Sequence, residues 1–215
     1  MRQQGVIERI FRLMKTIVLF MTVIFFIIGC NHNKPPTFKN GDIIFQDSPS
    51  SQSQAIKIAT KSKYSHVGII YKKEGKTFVY EAVGPVVLTP LKQWISHGVG
   101  SHYVLKRLKN RDVLTSRILT NMKMVAEGFK NRPYDALFAW SDDRIYCSEL
   151  VWKIYKRAVG IELGELKKLG SFDLSHPVVK AKLEERYGRN IPLNESVIAP
   201  QGVFDSDLLK TVYEN

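Results

Sequence analysis

Tyr146-Cys147-Ser148-Glu149-Leu150-Val151-Trp152-Lys153-Ile154-Tyr155, running on to Gly160, is the stretch whose reading decides the fold. Leu150, Val151, Ile154, Tyr155 and Ala158 recur at helical spacing. Gly160 follows as a stop, so the spacing predicts a helix over Cys147 to Val159 with those five residues facing inward. Cys147 falls at its N-terminus, where the positive end of the helix dipole favours a thiolate. The chain holds only one other cysteine, Cys30. A lone thiol with histidines upstream is a candidate nucleophile, and the plain alternative is a small buried hydrophobe.

Outward from that helix, the pattern alternates strands and helices without an internal repeat. Gly41-Asp42-Ile43-Ile44-Phe45 is a short strand signal. Ser51 to Ser62 reads as a helix, with Ser at its start and Ala55, Ile56 and Ala59 on one side. His66 to Tyr71 and Thr77 to Val83 read as a hairpin around Lys73-Glu74-Gly75-Lys76. Val86 to Thr89 and His102 to Leu108 are further strands. Val113 to Lys130 has Leu114, Ile118, Met122, Val125 and Phe129 at helical spacing, and Asn131-Arg132-Pro133-Tyr134 breaks it. A last short helix spans Pro177 to Tyr187, opened by Ser175 and closed by Gly188. The expected class is α+β, a small antiparallel sheet packed against helices.

The hairpin carries a geometric consequence. If its turn centres between Glu74 and Gly75, Gly68 pairs with Glu81 and His66 with Val83. His66 and Glu81 then lie diagonally on one face, about 7–8 Å apart at the backbone. A glutamate spans that gap, fixes the imidazole tautomer and stabilises the imidazolium. A one-residue change of register would put the two on opposite faces. A protonated His66 beside Cys147 would further favour the thiolate, which completes the set needed for acyl transfer through a thioester.

The N-terminus predicts export. Arg2, Arg9, Arg12 and Lys15 precede Ile17 to Ile28, twelve residues with one polar side chain. That is a secretory signal, shorter than the roughly 20 residues of a spanning helix. Ile27-Ile28-Gly29-Cys30 resembles the bacterial lipobox, in which cleavage precedes a cysteine that receives a diacylglyceryl group. The expected organisation is a signal peptide over 1–29, a lipidated tether over 30–40 and one domain over 41–215. Two or more acyl chains hold a protein stably on a bilayer, so the expected address is the cell envelope, with the membrane as partner. Asn31 is not the aspartate that favours inner-membrane retention, so in a Gram-negative source the outer membrane is expected. With Cys30 lipidated, no disulfide forms within the mature chain.

Net charge is +12, spread over residues such as Lys57, Lys61, Lys72, Lys106 and Arg111 rather than gathered in one arm. In an exported chain this argues against nucleic acid as a partner and for anionic lipid or wall polymer, or simply for solvated faces. Gly75-Lys76-Thr77 is no phosphate loop, because Ile70 stands where the loop needs glycine. His97 and His102 lack cysteine or acid at ligand spacing, so no metal is expected. No cofactor is expected either.

Taken in order, Gly41-Asp-Ile-Ile-Phe45, Tyr64-Ser-His66-Val-Gly-Ile-Ile70, Tyr80-Glu81-Ala82, Pro133-Tyr134-Asp135 and Tyr146-Cys147-Ser-Glu-Leu-Val151 resemble a known family. It is the circularly permuted, papain-like branch of the NlpC-type cysteine hydrolases, the YiiX/YaeF-like group, in which the histidine precedes the cysteine. The resemblance covers roughly residues 40–210. It implies Cys147 as nucleophile, His66 as base, Glu81 as third member and an amide as substrate. Tyr64, two residues before His66, is the expected side-chain donor to the oxyanion, while Tyr134 and Asp135 are expected to shape the pocket. An envelope amidase or peptidase acting on a peptide or acylated amine is the leading reading. An acyltransferase with the same triad and a catalytically silent binding lipoprotein are the alternatives.

Overall fold

The computed structural model describes residues 36–215. The signal peptide and lipidation site expected over residues 1–30 lie outside the described residues, as does the first part of the tether. Residues 37–40 are not free tether. Arg107 donates to the Thr37 carbonyl, the Asn40 side chain accepts from the Lys72 N–H at 2.6 Å, and Phe38 packs on Tyr103.

Strand β1 (Ile43–Gln46) is central and buried on both faces, which is why Ile43-Ile44-Phe45 reads as an unbroken apolar run. It pairs with β2 (His66–Lys73) on one side and β5 (Val104–Leu108) on the other. β2 continues to β3 (Lys76–Ala82) and β4 (Val86–Pro90), and β5 to β8 (Leu209–Glu214). The result is a six-stranded antiparallel sheet in the order β4-β3-β2-β1-β5-β8. A separate two-stranded piece pairs β6 (Lys167–Lys168) with β7 (Ser196–Val197).

Each face of the sheet buries its own alternate residues. Ile43, Phe45, Val67, Ile69 and Tyr80 meet α3 (Ser116–Gly128) and α4 (Cys147–Val159). Ile44, Ile70, Val79 and Leu105 meet Trp94 of a short helix, α2 (Leu91–Ser96). Helix α1 (Ser51–Thr60) packs through Ala55 on Val179 and Leu183 of α5 (Pro177–Tyr187), and a single-turn α6 spans Pro200–Phe204.

The helix of α4 has the predicted bounds. Leu150, Val151, Ile154, Tyr155 and Ala158 are all buried, and Gly160 caps it in the left-handed region at φ 78°. The long helix begins later than its periodicity predicts, because the Thr115 side chain accepts from the Ile118 N–H and so caps it, leaving Val113 and Leu114 ahead of it. Helix α5 is capped by His176, which accepts from the Val178 N–H; Ser175 instead closes a turn with Asp173.

Candidate active site

The β2–β3 turn fixes the first part of the site. Glu74 and Gly75 both have positive φ, 51° and 74°, as a two-residue hairpin turn matching the strand twist requires. The register runs Lys73↔Lys76, Lys72↔Thr77, Tyr71↔Phe78, Ile70↔Val79 and Ile69↔Tyr80. One step further, Gly68 stands across from Glu81. A Cβ on Gly68 would come within 2.3 Å of Val79 Cγ1 and 2.8 Å of the Tyr80 carbonyl, so the strands approach there as only glycine permits.

His66 and Glu81 share the face that the register assigns them. His66 Nε2 lies 2.6 Å from Glu81 Oε2. The other oxygen, Oε1, accepts from Thr89 Oγ at 2.5 Å, and Thr89 reaches it from β4 because Val87 pairs with Glu81 and Thr89 lies two residues on. Trp94 stacks on the imidazole, with centroids 5.9 Å apart. Its indole N–H has no partner of good geometry, yet it adds to the field that holds Glu81 ionised.

Cys147 opens α4 and is 3% exposed. Both its neighbours are tied to one residue: Ser148 Oγ donates to the Ile198 carbonyl at 2.7 Å, and the Ile198 N–H donates to Tyr146 Oη at 3.1 Å. Glu149 accepts from the Tyr146 N–H at 3.3 Å, satisfying a donor at the helix start. A parallel bridge joins Tyr134 to Ile145, with Asp135 N–H donating to the Ile145 carbonyl. The loop carrying Tyr134 is thereby stitched to the segment that delivers Cys147.

Cys147 and Glu81 act together on the charge of His66. Burial alone would lower the His66 pKa, but hydrogen bonds and charge from Cys147 and Glu81 outweigh it and raise the value from 6.5 to about 10. Burial alone would raise Glu81, but His66, Thr89 and Trp94 pull it below its ordinary value. The pair is thus an imidazolium against a carboxylate at neutral pH. His66 uses Nε2 on Glu81, which leaves Nδ1 for the sulfur side.

Tyr134, not Tyr64, stands beside Cys147. Burial and then the charge of Cys147 push the Tyr134 hydroxyl well above the usual phenol range. Its oxygen accepts from Gln52 Nε2 at 2.7 Å. Tyr64 instead packs in an aromatic cluster with Phe45 and Phe204, and its hydroxyl is raised by burial and by Glu214. Asp135 is buried under the loop: Oδ1 accepts from the Leu137 N–H at 2.8 Å, and the residue lines neither cavity at the site.

Two cavities meet at the site. One, of about 690 Å³ including its open mouth, has a mainly apolar wall that includes Cys147, Ile56, Phe172, Leu183 and Ile198. The other, of about 560 Å³, has His66, Val83 and the hydroxyls of Ser48, Ser50, Ser53 and Ser65. Tyr134 and Gln52 line both.

An α+β fold with a cysteine at a helix start and a histidine–carboxylate pair on the adjoining sheet defines a papain-like thiol site. Residues 37–213 match the family Peptidase_C92, described as permuted papain-like amidase enzymes of the YaeF/YiiX type, and the chain belongs to that family. It is 52% identical to the uncharacterized protein YiiX of Escherichia coli K12 over 174 residues, covering 81% of this chain and 85% of that one. It is similar to the crystal structure of metalloprotein yiiX from Escherichia coli O157:H7, with a TM-score of 0.79 and 52% identity over 82% of this chain and 97% of the other. Among the described residues, no group of three or more His, Cys, Asp or Glu side chains is arranged to hold a metal ion.

Proposed function

We propose that this protein is a cysteine amidase of the cell envelope, with Cys147 as nucleophile, His66 as acid and base, and Glu81 as the residue that orients His66. The Cys147 sulfur attacks the amide carbonyl carbon and the carbonyl π pair moves to oxygen. The Cys147 backbone N–H at the helix start and the Tyr134 hydroxyl receive that oxygen. His66 then passes a proton to the leaving nitrogen, the C–N bond breaks and a thioester remains. Water, deprotonated by His66, releases the acyl group as an acid.

The observation that carries this reading is the buried Glu81–His66 pair, with the His66 pKa raised by the Cys147 sulfur. The two cavities give the substrate a direction. The apolar one beside Cys147 suits an apolar acyl group, and the serine-rich one beside His66 suits a polar leaving amine. The test is intact-mass analysis after exposure to p-nitrophenyl decanoate. A decanoyl adduct on Cys147 that is absent from Cys147→Ser supports the reading, and an unmodified thiol in the wild type contradicts it.

We also propose that Cys30 anchors the mature chain through lipid, on the strength of Ile27-Ile28-Gly29-Cys30 after an apolar core. Cys30→Ala should abolish labelling by radioactive palmitate and release the protein from membranes. Unchanged labelling and fractionation would contradict the anchor. Among the described residues no helix is long and apolar enough to cross a membrane.

A further inference from the structure

A chain of three side chains leads from α5 to the site. Arg186 Nη2 donates to Gln52 Oε1 at 2.6 Å, and Gln52 Nε2 donates to Tyr134 Oη at 2.7 Å. The guanidinium has donors only, so the Gln52 amide has one possible orientation: oxygen to Arg186, NH₂ to Tyr134. Arg186 is itself held over the Phe138 ring, 4.9 Å from its centroid. Tyr134 Oη therefore receives a hydrogen on the Gln52 side. Its own proton has no acceptor among the described residues, although the hydroxyl stands where the two cavities meet.

We propose that Gln52 is a positioning residue that sets the direction of the Tyr134 hydroxyl proton, and that Arg186 sets Gln52. With its oxygen occupied by a donor, Tyr134 cannot turn its proton toward α1, and the proton remains available for an oxyanion on the carbon attached to Cys147. A carboxylate at position 52 would invert this arrangement, accepting the Tyr134 proton and leaving the oxyanion facing lone pairs. The inference rests on Tyr134 as oxyanion donor in the function proposed above.

Decanal is the probe. The Cys147 sulfur bonds to its carbonyl carbon, the π pair moves to oxygen, and the resulting thiohemiacetal carries the oxyanion without needing a leaving group. Affinity is measured by calorimetry on the full chain in wild type, Tyr134→Phe, Gln52→Glu, Gln52→Leu and the double variant Tyr134→Phe/Gln52→Glu. Tyr134→Phe and Gln52→Glu should each weaken binding by about tenfold or more, Gln52→Leu by less, and the double variant no more than Tyr134→Phe alone. If Tyr134→Phe is weak but Gln52→Glu binds like wild type, the relay is overturned while the Tyr134 role stands. A Gln52→Leu loss as large as that of Gln52→Glu, with an additive double variant, means a merely structural Gln52 and also overturns it. Wild-type affinity in Tyr134→Phe, or no binding by the wild type, overturns both the relay and the reading beneath it.

Discussion

Glu81 Oε2 lies 2.6 Å from His66 Nε2, across a hairpin whose register is set by the left-handed pair Glu74-Gly75. The same carboxylate is pinned by Thr89 from the next strand, so it holds the ring rather than the substrate. Cys147→Ser and His66→Ala should each lower kcat on an acyl p-nitroanilide by about 10²–10⁴-fold, with the double variant little worse than either. Glu81→Gln should cost less than either, since it still accepts one hydrogen bond from the ring. Steady-state kinetics on the four variants checks the ranking.

Gly68 should tolerate no side chain. A methyl group there meets Val79 and the Tyr80 backbone at sub-van der Waals distance, and the backbone cannot yield without moving Glu81. Gly68→Ala should lose about 1–3 kcal/mol of stability by overpacking and lose activity beyond that. Urea unfolding gives the first quantity and turnover of the folded fraction the second.

The charge on His66 links stability to pH. Its folded pKa is raised from 6.5 to about 10, so its contribution is complete below about 6.5 and disappears as pH rises through about 10. The melting temperature of wild type should therefore fall more steeply between neutral pH and about pH 10 than that of His66→Gln. Parallel melting curves for the two proteins would contradict the buried imidazolium.

The apolar cavity makes a size prediction. Ala55 and Leu183 line its wall, and Ala55→Phe fills part of the space that an acyl chain would enter. The variant should shift the preferred acyl p-nitroanilide to shorter chains, with the KM for long chains rising more than kcat falls. A chain-length profile identical to wild type would remove the cavity from the substrate path.

Much of this was legible because local signals coincide. The turn fixed the His66–Glu81 face, and the α4 periodicity with Gly160 fixed where Cys147 sits. What was not legible comes from elements with weak patterns. β8 is an edge strand in which only Leu209 is buried, and α6 is a single turn. Phe204 of α6 takes the Tyr64 ring into an aromatic cluster, so a tyrosine two residues from His66 is not at the site. Tyr134 is brought there by a bridge to Ile145, and Gln52 by the packing of α1 on α5. Thr89 could have been found by extending the hairpin register one strand further, since it is diagonal to Glu81 as His66 is.

The pairing of Cys147 with His66 is tested most directly by the pH profile of iodoacetamide alkylation of the single thiol Cys147, in Cys30→Ala and in the same protein carrying His66→Ala. With His66 protonated beside the sulfur, the parent should react about tenfold or more faster than His66→Ala in the acidic and neutral range. Two superimposable profiles would mean that His66 does not activate Cys147, and the account of this protein as a cysteine amidase would be wrong.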